Sequence, residues 1–299
     1  MRNPASKGKR SLAAAAALAA AVTVGAGPAG IGGAAVERAP FIAPVDRARA
    51  EVWAVGDGAD GSDESIAVAR MIAGSDPDRF LYLGDVYPRG TAEDFAERYE
   101  PSYGRLAAIT APTIGNHEDD NRAVGYDPYW RAAHGRTPPS YYAFRVAGWK
   151  LISLDSQIDY DPGSPQIEWL RRRLRGPGNC RIAFWHRPRF NAGTNHTGGD
   201  GSIAALWDAL QGEARLVING HEHNMQRQAP TQGIVQLISG AGGDRQYGLD
   251  RSYPGLRFAA NSTPGALRLR LAPRRARFAF VAVDGRILDS GTRHCKRRG

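Results

Sequence analysis

The sequence predicts an α/β protein with an added antiparallel part, contained in a single domain over residues 50–299. Three observations carry that expectation. Short apolar runs alternate with amphipathic helical patterns up to about residue 218, the pattern after that is strand-only, and no linker, repeat or low-complexity stretch interrupts residues 50–290.

In chain order, residues 51–55 (EVWAV) read as a strand and 64–73 as a helix with Ile66, Ala69 and Ala73 on one face. Residues 79–83 read as a second strand, 92–99 as a helix, and 109–114 as an extended run broken by Pro112. Residues 141–146 and 149–154 read as strands around a turn at Ala147-Gly148. Ser164 before Pro165 is an N-cap with a first-turn proline; it opens a helix to Leu174 that turns Ile167, Leu170 and Leu174 inward and its arginines outward. A strand at 181–185 follows. Ser202 is expected to cap a helix in which Ile203, Leu206, Trp207 and Leu210 recur at i, i+3, i+4 and i+7, ahead of a strand at 215–218. Residues 234–239, 266–271 and 277–283 supply the closing strands.

The N-terminus reads differently. Arg2, Lys7, Lys9 and Arg10 precede an Ala-rich apolar run at 12–24, too short to span a bilayer, and small residues continue through Ala35. This is the pattern of a secretory signal peptide with its cleavage zone over residues 1–35, followed by a short lead-in at 36–49, and it predicts an extracellular protein. An uncleaved N-terminal anchor is the other reading. Four of the basic residues lie in the first 35, so without them the net charge falls from +9 to +5. The remaining arginines, as in Arg171-Arg172-Arg173 and Arg274-Arg275, lack interleaved aromatics, so they read as a solvated surface with no specific nucleic-acid or membrane partner; oligomeric state is left open. Two cysteines, Cys180 and Cys295, in an exported chain predict one disulfide tying the C-terminal tail to the core, with two free buried thiols as the alternative.

Chemistry gathers where the strands end. Asp57 lies in VGDGAD, Asp85 in LGDVY, Asn116 and His117 in IGNHE, His186 ends IAFWH, and His221 ends LVINGH. Open α/β sheets place their ligand sites at such ends. Of seven histidines, 117, 186, 196, 221 and 223 lie in or near these segments, whereas His134 and His294 read as solvated loop residues. Any one of the five alone would be read as a hydrogen-bonded histidine. Jointly, with two aspartates and an asparagine, they read as a metal site, and oxygen and imidazole donors without thiolate suit Zn, Fe or Mn. Asp85 can bridge two ions, and His221 and His223, two apart on an extended segment, face one side, where each can serve one ion of a pair about 3.5–4 Å apart. Two aspartates leave such a pair net positive, which favours phosphate. A water between the ions would then attack phosphorus in line, and His117 and His196 are available to protonate the departing alkoxide.

The ordered set GD, GD, GNHE, a strand ending in His, and GHxH resembles the calcineurin-like metallophosphoesterase superfamily, in particular its purple acid phosphatase-like branch, from about Ala54 to Gly243. The resemblance implies a four-layer αββα sandwich of mixed sheets flanked by helices. It implies that Asp57, Asp85 and His223 hold one metal and Asp85, Asn116, His186 and His221 the other, with Fe paired with Zn, Mn or Fe. It gives His117 to the phosphate. His196 stands where plant members carry the second of two adjacent histidines, the first being Asn195 here, so leaving-group protonation falls to His196, with Asn195, His117 and His196 lining the substrate. Two departures matter. The superfamily opening D-x-H is Asp57-Gly58-Ala59, without the imidazole, and the GDxxY of purple acid phosphatases is Gly84-Asp85-Val86-Tyr87, one residue short. Tyr87 is therefore either a metal ligand or an ordinary strand-end aromatic. The expected function is a secreted dinuclear-metal hydrolase of small phosphomonoesters; a phosphodiesterase on the same scaffold and a non-catalytic phosphoester-binding protein are the alternatives.

Overall fold

The computed structural model describes residues 40–295, and the expected signal peptide lies outside them. Among the described residues the strands are β1 (Ala50–Val55), β2 (Arg79–Tyr82), β3 (Thr110–Pro112), β4 (Tyr142–Val146), β5 (Trp149–Ser153), β6 (Arg181–Phe184), β7 (Leu216–Asn219), β8 (Met225–Gln228), β9 (Val235–Ser239), β10 (Leu256–Ala260), β11 (Gly265–Ala272), β12 (Arg275–Ala282) and β13 (Ile287–His294).

Side chains alternate across a strand with period two, and here the alternation divides each central strand between two cores. Val52 and Ala54 of β1, Leu81 of β2, Ile182 and Phe184 of β6, and Leu216 and Ile218 of β7 meet in one apolar cluster between the sheets. Trp53, Val55, Phe80 and Tyr82 face the other way, onto Val68, Ala69 and Ile72 of the helix Asp63–Ala73. Ala183 and Val217 face the opposite outer layer, onto Ile167 and Leu170 of the helix Pro165–Leu174 and Leu206 of the helix Ala204–Ala209. Three cores separate four layers, so the fold is the αββα sandwich expected.

One sheet runs β13-β12-β11-β1-β2-β3 and the other β10-β8-β9-β7-β6-β5-β4. β1, β2 and β3 are parallel, as are β5, β6, β7 and β9, and antiparallel strands extend both sheets. The parallel centre explains why those strands read as nearly continuous apolar runs. Ser239 at the end of β9 stitches the sheets together: its carbonyl accepts the Gly56 N–H (3.0 Å), and its hydroxyl donates to the Ala54 carbonyl (2.9 Å).

Local signals behave as their chemistry requires. Ser164 Oγ accepts the Ile167 N–H with Pro165 in the first turn. The hairpin β4–β5 turns on Ala147 and Gly148, both at positive φ (47° and 82°), as a tight two-residue hairpin prefers. Several expectations need correction. Asp200, not Ser202, caps the Gly201–Ile203 turn that leads into Ala204–Ala209, because its carboxylate reaches the Ser202 N–H. His134 is not a loop residue: it ends the helix Tyr126–His134, stacked on Trp130, and burial lowers its pKa. His294 is exposed as expected, but it lies in the edge strand β13.

Cys180 and Cys295 form the expected disulfide, closing a separation of 115 residues and holding the end of β13 to the sheet core. Replacing both cysteines by alanine should lower the free energy of unfolding by about 2–4 kcal/mol in urea titration, because the unfolded chain regains the freedom of that long loop. An unchanged midpoint would show that the bond stabilises nothing.

Candidate metal centre

The loops leaving β1, β2 and β7 turn sharply. Asp57, Asp85 and His221 hold φ values of 58°, 68° and 70°, a left-handed conformation that costs side-chain-bearing residues on the order of 1–3 kcal/mol each. The turned backbone fixes both carboxylates. Asp57 Oδ2 accepts the His221 N–H (2.8 Å), and Asp85 Oδ1 accepts the His117 N–H (3.1 Å). The Asp85 N–H donates to buried Glu118 (3.0 Å), and the Tyr82 hydroxyl accepts from the Ala59 N–H (3.1 Å) while donating to the Asp85 carbonyl (2.6 Å), tying the first two loops together.

The remaining oxygen of each aspartate faces ring nitrogens. Asp85 Oδ2 lies 3.3 Å from His186 Nε2, which lies 3.1 Å from both Asn116 Oδ1 and His221 Nδ1. Ligand atoms of Asp85, His186 and His221 all fall within 4.8 Å of one another. On the other side, Tyr87 Oη lies 2.8 Å from His223 Nε2, 3.4 Å from Asp85 Oδ2 and 3.5 Å from Asp57 Oδ1. His223 Nε2 is 3.8 Å from Asp57 Oδ1. Two groups of donors therefore share one atom, Asp85 Oδ2.

These groups fit a cation. His186 Nδ1–H donates to the Leu83 carbonyl (2.8 Å) and His223 Nδ1–H to the Arg245 carbonyl (2.9 Å), so each ring turns an Nε2 lone pair inward. When the His186 ring is neutral, the form that binds metal, His186 Nε2, Asn116 Oδ1 and Asp85 Oδ2 are acceptors facing acceptors. Burial, and then the Asp85 charge, push Asp57 well above the usual carboxylate range. Burial would raise Asp85 as well, but His186 and His117 outweigh it and hold Asp85 below that range. Burial, and then His186, push His221 down to about 2, which leaves its ring neutral, the form that binds metal. Carboxylate, amide, imidazole and phenol donors without thiolate suit ions of the Zn, Fe and Mn kind.

Asp57, Asp85, Tyr87, Asn116, His186, His221 and His223 are thus brought together. The short spacing before Tyr87 does not prevent its reach: Ala59 pairs with Val86, the Tyr87 N–H donates to the Ala59 carbonyl (2.9 Å), and both residues are buried. His117 stands at the rim, its Nδ1–H on the Pro88 carbonyl (2.6 Å) and its Nε2 3.8 Å from Asp85 Oδ2. His196 stacks on His221, with centroids 4.1 Å apart. Asn195 is exposed, and no hydrogen bond joins it to the cluster. Sequence reasoning missed Tyr247, stacked on His223 at 3.8 Å, because nothing in its neighbourhood along the chain marks it. It also passed over Glu222, an acidic residue between the two histidines.

The comparisons with known proteins agree with this geometry. The calcineurin-like phosphoesterase family model matches residues 50–225, more than half of the chain, and the chain belongs to that family. Within it the chain is similar to purple acid phosphatases. It is 30% identical over 193 residues to probable purple acid phosphatase 20 of Arabidopsis thaliana, covering 56% of this chain and 44% of that protein. It is 28% identical over 212 residues to purple acid phosphatase 22 of the same plant, covering 60% and 47%. The chain thus spans less than half the length of these curated relatives. Its fold is similar to the purple acid phosphatase PPD1 of yellow lupin (TM-score 0.66, 16% identity, 85% of this chain and 54% of that one). It is equally similar to GAP50, the anchor in the inner membrane complex of Plasmodium (TM-score 0.67, 17% identity, 84% and 90%). The family is one of phosphoesterases.

Gly115 tests how closely the site is built. A Cβ there would collide with Asp85 Oδ1. Gly115→Ala should fold with the wild-type circular dichroism spectrum yet lose about 10²-fold or more of its activity, since displacing a positioned group by about 1 Å costs that much. Full activity would mean that the placement of Asp85 tolerates displacement.

Proposed function

We propose that the protein is a secreted phosphomonoesterase that works with two metal ions, one of them iron and the other zinc, manganese or iron. The observation that carries this reading is the pair of donor groups sharing Asp85 Oδ2, with two non-ligand histidines at the rim. Asp57, Asp85, Tyr87 and His223 would hold one ion, and Asp85, Asn116, His186 and His221 the other. When bound, the ions supply Lewis acidity toward a phosphate oxygen and lower the pKa of a water to near neutrality. The chain's own residues do the rest. His117, with Nδ1–H committed to Pro88, turns Nε2 toward a phosphate oxygen. His196, stacked on His221, donates its proton to the departing alcohol oxygen. Asn195, on the same loop, lines the leaving-group side. The disulfide supports an oxidising compartment, and among the described residues no helix is long and apolar enough to cross a membrane.

Turnover of nitrophenyl phosphate should exceed that of bis(nitrophenyl) phosphate, and His196→Ala should keep its full metal content while slowing monoester turnover by about 10²-fold or more. Faster diester turnover would make the protein a phosphodiesterase. Metal loss in the histidine variant would make His196 a ligand.

A further inference from the structure

We propose that Glu222, the residue between the two histidines of the GHEH segment, is the positioning residue for His196: its carboxylate fixes the ring so that Nε2 faces the leaving group. This rests on the reading of His196 as the proton donor. Residues 221–223 form a bend after β7, with His221 at φ 70°, and that bend turns His221 and His223 to the ligand cluster and the Glu222 carboxylate toward residues 191–196. There it meets the loop that carries His196. Glu222 is fully buried, and its Oε1 lies 2.7 Å from His196 Nδ1. A carboxylate accepts, so Nδ1 carries the hydrogen and Nε2 is the end presented outward. The His196 side chain is 45% exposed. Without that bond, ring contacts with His221 and Tyr247 would be left to restrain it.

The surrounding amides hold the two segments as one unit. Asn191 Nδ2 donates to the His196 carbonyl (2.7 Å), and Asn191 Oδ1 accepts from Gly193 N–H (2.7 Å) and from Gln226 Nε2 (2.8 Å). Gln226 Oε1 accepts the Ala192 N–H (2.9 Å), and Gln236 Oε1 accepts the Phe190 N–H (3.2 Å). Gly193 passes so close that a Cβ would strike Glu222 Oε2. The glutamate and the loop are therefore shaped to each other. In the doubly protonated ring both nitrogens carry hydrogen; as the ester P–O bond breaks and a water oxygen bonds to phosphorus, the alcohol oxygen takes the Nε2 hydrogen, the proton released by the water restores it, and Nδ1–H stays on Glu222.

The test compares ethyl phosphate, whose alkoxide needs that proton, with dinitrophenyl phosphate, whose phenolate leaves without it. In Glu222→Leu, the ratio of ethyl to dinitrophenyl turnover should fall about 10- to 100-fold, the usual cost of removing a group that orients another. Glu222→Gln keeps an acceptor for Nδ1–H and should restore most of that ratio, and it guards against a leucine variant that misfolds. An unchanged ratio in both variants, or an equal fall on both substrates with metal content intact, would overturn the proposal. His196→Ala separates the two layers of inference. If it leaves the ratio unchanged, the proton-donor role itself fails; if it lowers the ratio while both Glu222 variants do not, only the positioning role fails.

Discussion

The structure depends on two carboxylates that ought to repel each other. Asp57 and Asp85 are both essentially excluded from solvent, at the ends of adjacent parallel strands, and each raises the cost of the other's charge. Backbone N–H groups satisfy one oxygen of each, while the second oxygens face imidazoles that are themselves tied to carbonyls. Charge buried in this way is costly unless it is paired. A multivalent cation on each side of Asp85 would pair it, converting repulsion between carboxylates into attraction to a shared centre.

The sandwich exists to bring these strand ends together. Parallel strands carry their loops to the same edge, so β1, β2 and β3 of one sheet and β6 and β7 of the other deliver their polar residues to one place. Ser239 and the His221 N–H to Asp57 bond join the sheets where the site lies. The left-handed conformations at Asp57, Asp85 and His221 are tolerated because the packed strands behind them over-determine the path of the chain. Burial at the ligands contrasts with exposure at the rim, where His117 and His196 stand open to solvent.

Much of this was legible before the structure. The ligand segments stood out because apolar strands end abruptly in Asp, Asn or His, and the parallel centre of each sheet announced itself as apolar runs. Other elements carried no such signal. β8 (MQRQ) is polar because its amides hold the loop bearing His196, and β13 (ILDSGTRH) is an exposed edge, so neither shows a clean hydrophobic alternation. The helix Tyr126–His134 buries Tyr126 and Trp130 rather than an aliphatic stripe. Spacing alone left Tyr87 open, because reach depends on the turn at Asp85, which spacing does not encode. Glu222 was visible as a letter, but its partner lies 26 residues away, a relation only the fold supplies.

The central claim is that Asp85 Oδ2 is shared by two ions. Anomalous diffraction from crystals grown with the protein's native metals tests it most directly. Two anomalous peaks about 3.5–4 Å apart are expected, one on either side of that oxygen. One lies among Asp57, Tyr87 and His223 and the other among Asn116, His186 and His221. A single peak, or two peaks with Asp85 touching only one, would contradict it.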